Sequence, residues 1–157
     1  MIFLTVGTQD KQFFRLLKIV DNAITRGIVK DEVIAQIGHT KFESKNIKTY
    51  KFMSDKKLNE YIEQSDLVVC HGGIGVITSA LSKKKKVFAI SRLKEYKEHI
   101  NDHQEQIVDK FYQLGYIKKI VDYDDFVREY NDLKKFKPIF PEFNNEKMLN
   151  LIKDFIG

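Results

Sequence analysis

His71-Gly72-Gly73-Ile74-Gly75 interrupts an apolar run, Leu67-Val68-Val69-Cys70, and is followed by a short helical pattern through Val76, Ile77, Ser79 and Leu81. A buried strand that enters a glycine turn and then a helix can bind an anion. Glycines let the backbone approach a phosphate closely, and the first amides of the helix are unpaired donors at the positive end of its dipole. The stretch His71–Ile77 is therefore a candidate phosphate cradle. Close packing of backbone against a neighbouring element is the other use of such glycines. Gly73-Ile74-Gly75 has Thr78 where a dinucleotide fingerprint has its third glycine, and no Gly-Lys-Ser/Thr follows as in a P-loop. His71 could pair with the phosphate or hydrogen-bond to the backbone.

A second group with chemical capacity is His99, Asp102, His103 and Gln104. The two histidines are spaced i, i+4, which invites a metal reading. No glutamate or third histidine stands at a recognised spacing, and His99 precedes the helix, so no metal is expected. Asp102 is a candidate helix N-cap. Asp102-His103-Gln104 at a helix start facing a crevice would offer polar contacts to sugar hydroxyls. Cys70 has no neighbour that marks it as a nucleophile and is expected to be a buried strand residue.

These groups need a scaffold. Residues 2–6, 32–37, 47–52, 66–69, 87–90 and 117–121 form short apolar, β-favouring runs. Between them, Phe13, Leu16, Leu17, Val20 and Ile24 recur at helical spacing up to a stop at Gly27. Leu58, Tyr61 and Ile62 predict a helix opened by Ser54 or Asp55. Ile107, Val108, Phe111 and Leu114 predict another over 102–114, stopped by Gly115. A helix is expected near 124–133, and after Pro138 and Pro141 a closing amphipathic helix with Met148, Leu149, Ile152, Phe155 and Ile156. Alternating strands and helices with continuously apolar strands predict an α/β class, a single doubly wound parallel-sheet (Rossmann-like) domain over 1–157. Ligands bind such sheets past the carboxyl ends of the strands. Gly7–Gln9, Phe52–Met53, His71–Gly75 and Ser91–Gln104 all fall at those ends.

Composition narrows the classes. With 43% apolar and 31% charged residues the chain is an ordinary globular one, and no apolar run approaches the roughly 20 residues of a membrane span. Residues 1–6 carry no basic leader and read as a first strand rather than a signal peptide. One cysteine cannot form an internal disulfide, which fits the cytosol. The net charge of +5 is concentrated at Lys83–Lys86 and at Lys134, Lys135 and Lys137, either a solvated surface or a face for an anionic partner. No nucleic-acid motif accompanies it, and the aromatics occupy core-like positions, so nucleic acid is not an expected partner.

Taken in order, Val6-Gly7-Thr8-Gln9, Phe52-Met53, Ser65-Asp66-Leu67-Val68-Val69 before Cys70-His71-Gly72-Gly73-Ile74-Gly75, and Arg92 followed by Asp102-His103-Gln104 make a pattern. Over nearly the whole chain it resembles the C-terminal, donor-binding half of family 28 glycosyltransferases. The likeness runs to the small catalytic subunits of split enzymes, such as the dolichol-linked N-acetylglucosamine transferase and bacterial capsule or exopolysaccharide transferases. The resemblance implies one half of a GT-B fold and inverting transfer of a hexose or N-acetylhexosamine from a UDP-sugar, with no metal or other cofactor. It implies uracil near Phe52 and Met53, and diphosphate on Gly7, Thr8 and Gln9 and on His71, Gly72, Gly73, Gly75, Val76 and Ile77. The sugar would lie near Asp102, His103 and Gln104. Arg92 would add charge-assisted hydrogen bonds.

In single-chain relatives a glutamate on the helix after the glycine turn holds the ribose, and Ser79 stands at that position here. His71 and His103 are the candidates for catalysis, although the general base could come from another polypeptide. A full GT-B enzyme has two such domains. The resemblance therefore implies a separate, membrane-anchored acceptor-binding subunit and a lipid-linked saccharide acceptor. The work would be surface polysaccharide synthesis at the cytoplasmic face of the membrane. The segment from Phe136 to Gly157 could dock that partner or pack on its own domain. The alternatives are a non-catalytic nucleotide-sugar-binding regulatory subunit and an unrelated Rossmann-like NAD or nucleotide enzyme.

Overall fold

Strands built almost wholly of apolar side chains must be covered on both faces, and three of the strands are buried at each of their four positions: β1 (Ile2–Thr5), β2 (Val33–Gln36) and β4 (Leu67–Cys70). The computed structural model describes residues 1–143 together with Asn150 and Lys153. Its remaining strands are β3 (Lys48–Tyr50), β5 (Lys86–Ala89) and β6 (Lys118–Lys119). The helices are α1 (Phe14–Thr25), α2 (Asp55–Gln64), α3 (Ile74–Ser82), α4 (His103–Gln113) and α5 (Tyr123–Asn131). Met148, Leu149, Ile152, Phe155 and Ile156, which carry the expected closing helix, lie outside the described residues.

All pairings are parallel and the strand order is β3-β2-β1-β4-β5-β6. The side-chain period of two divides the core. Ile2, Leu4, Leu67, Val69 and Phe88 pack with Leu16, Leu17 and Val20 of α1 and Phe126 of α5. Phe3, Val68, Cys70, Val87 and Ala89 pack on the other face with Ile62 of α2, Ile77 and Ala80 of α3, and Val108 and Phe111 of α4. The expected doubly wound α/β fold is what the chain adopts.

Local chemistry sets several of the boundaries. Ser54 is the N-cap of α2 and accepts from the Lys57 amide at 3.2 Å, which settles the choice between Ser54 and Asp55. Asp122 caps α5 in the same way through the Asp125 amide at 2.9 Å. The sixth strand is only two residues long, shorter than the expected 117–121. Its flanking Ile117 and Ile120 are buried in opposite faces of the core. The loop after β5 contains a 3-10 turn at Lys94–Tyr96.

The chain lays β2 and β3 to one side of β1 and then crosses over through α2 to lay β4, β5 and β6 on the other. The loops leaving β1 and β4 therefore diverge, and a crevice opens between them at the point where the winding reverses.

Candidate functional site

The crevice is built from the two central strand ends. The backbone amide of His71 donates to the Thr5 carbonyl at 3.2 Å, which carries the β1–β4 pairing one residue past Cys70. Thr5 donates its hydroxyl to Gln36 Oε1 at 2.9 Å and accepts from the Gly7 amide at 3.2 Å. That hydroxyl turns the chain out of β1, and Gly7 takes a φ of +80° that only glycine adopts cheaply.

The ring of His71 fills the slot this creates. A Cβ on Gly7 would come within 2.7 Å of Nε2, and one on Gly73 would overlap the ring. Gly72 is equally constrained on its other side, where a Cβ would lie 2.8 Å from the backbone oxygen of Gln104 in α4. Close packing, one of the two uses open to such glycines, accounts for Gly7, Gly72 and Gly73. Gly75 meets nothing within 4 Å. The first intrahelical bond of α3 runs from the Ile77 amide to the Gly73 carbonyl, and no side chain caps the helix start. The amides of Ile74, Gly75 and Val76 are thus left without helical acceptors beside the His71 ring.

Buried polar groups are almost always hydrogen-bonded, and exceptions mark places where something else supplies the partner. Among the described residues the buried side-chain nitrogens and oxygens without a partner are Nδ1 and Nε2 of His71 and Nε of Arg92. His71 is 8% exposed. Burial, and then the charge of Arg92 and of His99, pushes its pKa down to about 3. At neutral pH the ring is therefore uncharged, with one N–H to donate and one nitrogen to accept. It suits an anion's oxygen as a neutral donor and is a weak proton acceptor for a reaction run near pH 7.

Arg92 sits differently from a residue reaching for ligand. It is 1% exposed, and its guanidinium donates to the carbonyls of Val6 at 2.6 Å, Lys11 at 2.7 Å and Glu98 at 3.0 Å. Its plane lies over Phe13, 5.1 Å from the ring centre. Gln104 Oε1 accepts from its backbone amide at 3.2 Å. Burial weakens its hold on the proton, and Glu98 and Asp10 oppose that effect. Two residues that sequence reading passed over complete this arrangement. Glu98, buried, receives a two-pronged bond from Arg15 Nε (3.2 Å) and Nη2 (2.9 Å). They stand 83 residues apart, beyond any periodicity that could have paired them.

The helix start at Asp102 is corrected by the structure. Asp102 occupies the N-cap position but makes no capping bond, because its carboxylate accepts from the Lys94 amide at 3.0 Å. Asn101 takes over and accepts from the His103 amide at 2.8 Å. His99 accepts from the Asn101 amide at Nδ1 (3.2 Å) and meets the Gln9 side chain at Nε2 (3.1 Å), bridging the loops after β1 and β5. Burial first, then Arg92, His103 and Lys11, lower the His99 pKa.

The remaining candidates spread outward. Thr8 is exposed and His103 half-buried. Phe52 is 49% exposed, stands edge-on to His39 at 5.1 Å, and lines a cavity of about 670 Å³ with Gly38, Lys41, Phe42 and Lys51. Met53 packs instead into the core on the α2 side, so the two neighbours diverge. Ser79 donates to Asn59 of α2 at 3.0 Å and accepts from Lys83 at 3.4 Å. The lysine runs belong to the opposite end of the sheet. Lys83–Lys86 lead into the start of β5, and Lys86 donates to the Leu133 carbonyl at 2.7 Å beside Lys134 and Lys135. Among the described residues no three His, Cys, Asp or Glu side chains gather as a metal site, and no helix is long and apolar enough to cross a membrane.

Comparison with known proteins bears on this geometry. The model of the glycosyltransferase family 28 C-terminal domain matches residues 1–154. The UDP-N-acetylglucosamine transferase subunit ALG13 of Debaryomyces hansenii is 24% identical over 112 residues, covering 71% of this chain and 49% of that protein. The chain thus spans about half the length of this curated relative. The solution structure of an ALG13 superposes with a TM-score of 0.59 at 20% identity, covering 96% of this chain and 93% of that one. The crystal structure of the kitacinnamycin glycotransferase superposes with a TM-score of 0.63 at 16% identity, covering 98% of this chain and 37% of that one. The fold is that of one half of such enzymes.

Proposed function

The chain belongs to the glycosyltransferase family 28 C-terminal domains, and from that premise we propose that it is the donor-binding, catalytic subunit of a two-component inverting transferase that uses a UDP-sugar. The observation that carries the reading is the buried, partnerless ring of His71, wedged between Gly7 and Gly73 beside the free amides of α3. In a transferase the leaving diphosphate gains negative charge as the glycosidic bond breaks. Preorganised neutral donors at a helix start stabilise that charge without reorganising. The diphosphate would then lie across Gly7, Thr8, Gln9, His71 and the first turn of α3. Phe52 and its cavity would receive the base, and His103 and Gln104 would face the sugar.

His71, held neutral and weakly basic, serves as donor to the diphosphate in this scheme. The group that deprotonates the acceptor comes from the second polypeptide. That partner is a membrane-anchored, acceptor-binding chain, and the acceptor is a lipid-linked saccharide used for surface polysaccharide at the cytoplasmic face of the membrane. The transferred unit is a hexose or N-acetylhexosamine, and no metal takes part. The relative described as a UDP-N-acetylglucosamine transferase subunit supports both the donor class and the division of labour.

The test is to co-express the chain with a membrane-anchored, acceptor-binding partner and to measure transfer from a panel of UDP-sugars to a lipid-linked acceptor. Transfer from at least one donor, abolished by Gly73→Val, is expected. Transfer that survives Gly73→Val would assign catalysis to the partner and leave this chain a regulatory subunit. In the isolated chain, UDP should raise the melting temperature and NAD should not; the reverse would overturn the donor reading.

A further inference from the structure

We propose that Arg15 and Glu98, acting through Arg92, are positioning residues that lock the loop after β1 to the loop after β5 and so fix the distance between the diphosphate and sugar ends of the donor. The two arginines clasp in opposite directions. Arg92 reaches from the β5 loop to the Val6 and Lys11 carbonyls of the β1 loop. Arg15 reaches from α1 to the Ser91 carbonyl (2.9 Å) and to the Glu98 carboxylate. Both guanidiniums lie on the buried ring of Phe13, at 5.4 Å for Arg15 and 5.1 Å for Arg92. Glu98 is the hub. Its carboxylate binds Arg15 and the Leu93 amide (3.1 Å), and its carbonyl binds Arg92.

A two-pronged arginine–carboxylate pair fixes orientation as well as distance, which a lone charge does not. Broken on one side, such a partly buried pair leaves the buried Glu98 carboxylate without its counterpart, so the cost reaches every group the pair holds. Here those groups are the two loops that carry Gly7–Gln9 and Asp102–Gln104. The β4–α3 turn has no bond to Arg15, Glu98 or the Arg92 side chain, so the His71–Ile77 part of the diphosphate site stands outside the brace, while a UDP-sugar would span both braced loops. The loss should therefore be selective.

The consequence for the sugar rests on the donor reading above, whereas the coupling of the two loops does not. Glu98→Gln in the full chain, followed by amide hydrogen exchange without ligand, tests the coupling. Exchange should rise about tenfold both at 93–101 and, across the crevice, at 7–11, while β4 stays protected. A rise confined to 93–101 would overturn the brace. Titration with UDP and with UDP-sugars then tests its purpose. Glu98→Gln should weaken the preferred UDP-sugar about tenfold and UDP itself less than threefold; equal weakening of the two would overturn the selective role. If the unaltered chain binds neither, the donor reading fails, and the exchange result still decides the coupling. Arg15→Lys, which keeps the charge but lacks the fork, guards against misfolding of Glu98→Gln. It should give the same pattern at both loops, and unchanged exchange at 7–11 would count against the proposal.

Discussion

The two walls of the crevice are made by different physics. The β4–α3 turn is held by shape: three glycines let a neutral imidazole ring and a helix start come together, and no ion pair is involved. The β5–α4 loop is held by charge, with two guanidiniums, the carboxylates of Glu98 and Asp102 and a set of backbone carbonyls. Shape yields a preformed cradle with unmet donors. Charge yields a braced arm whose donors, Arg92 Nε apart, are already engaged. Under the proposed donor reading, the diphosphate, whose charge is the same in every donor, would meet the first wall, and the sugar, which differs between donors, would meet the second.

The largest effect should fall on the charged wall. Arg92→Met removes the donors to three carbonyls and leaves the second guanidinium and the carboxylate behind. It should lower the unfolding free energy by about 3–5 kcal/mol in urea titration. A loss under 1 kcal/mol would mean that the loop is held by something other than charge. Gly73→Val attacks the other wall by displacing the His71 ring. UDP affinity should fall at least about a hundredfold, or about 2.7 kcal/mol, by calorimetric titration. Retention of affinity within threefold would show that the slot is packing alone.

Acid separates the walls further. Between pH 6.5 and about 3 the unfolded chain binds a proton at His71 that the folded chain refuses. The stability tied to the neutral ring is therefore complete above pH 6.5 and declines as pH falls through that window, by about 1.4 kcal/mol per unit. His71→Asn should remove this component from the pH profile, and an unchanged profile would mean that the ring is not buried as described. The smallest effect is a control on neither wall. Ser54→Ala removes the N-cap of α2 and should cost about 1 kcal/mol with UDP affinity unchanged.

Much of the scaffold was legible because its signals are local. The apolar runs and the 3.6-residue spacing of Leu16, Leu17 and Val20 point to a parallel sheet before any contact is known. Gly27 and Gly115, with φ of +77° and +79°, end helices where their type suggests they should. Asp102 shows the limit. Its type and position argue for a cap, yet Lys94, eight residues earlier, takes its carboxylate and Asn101 does the capping. Competition between two acceptors for two amides depends on the path of the loop, which no spacing encodes. Arg92 was identified as important from its place in a pattern, but its partners are carbonyls, which carry no sequence identity at all.

The sequence by itself determined the element types, the parallel sheet and the glycine turn, because hydrophobic periodicity and backbone steric limits act over a few residues. Tertiary structure alone decided that the His71 ring sits in a slot between Gly7 and Gly73 without a partner, and that Arg15, Glu98 and Arg92 brace two distant loops. Those facts depend on which strand ends meet, and strand order is set by the packing of the whole core. A strand's own residues specify that it will be buried on both faces, and leave open which neighbour it is buried against.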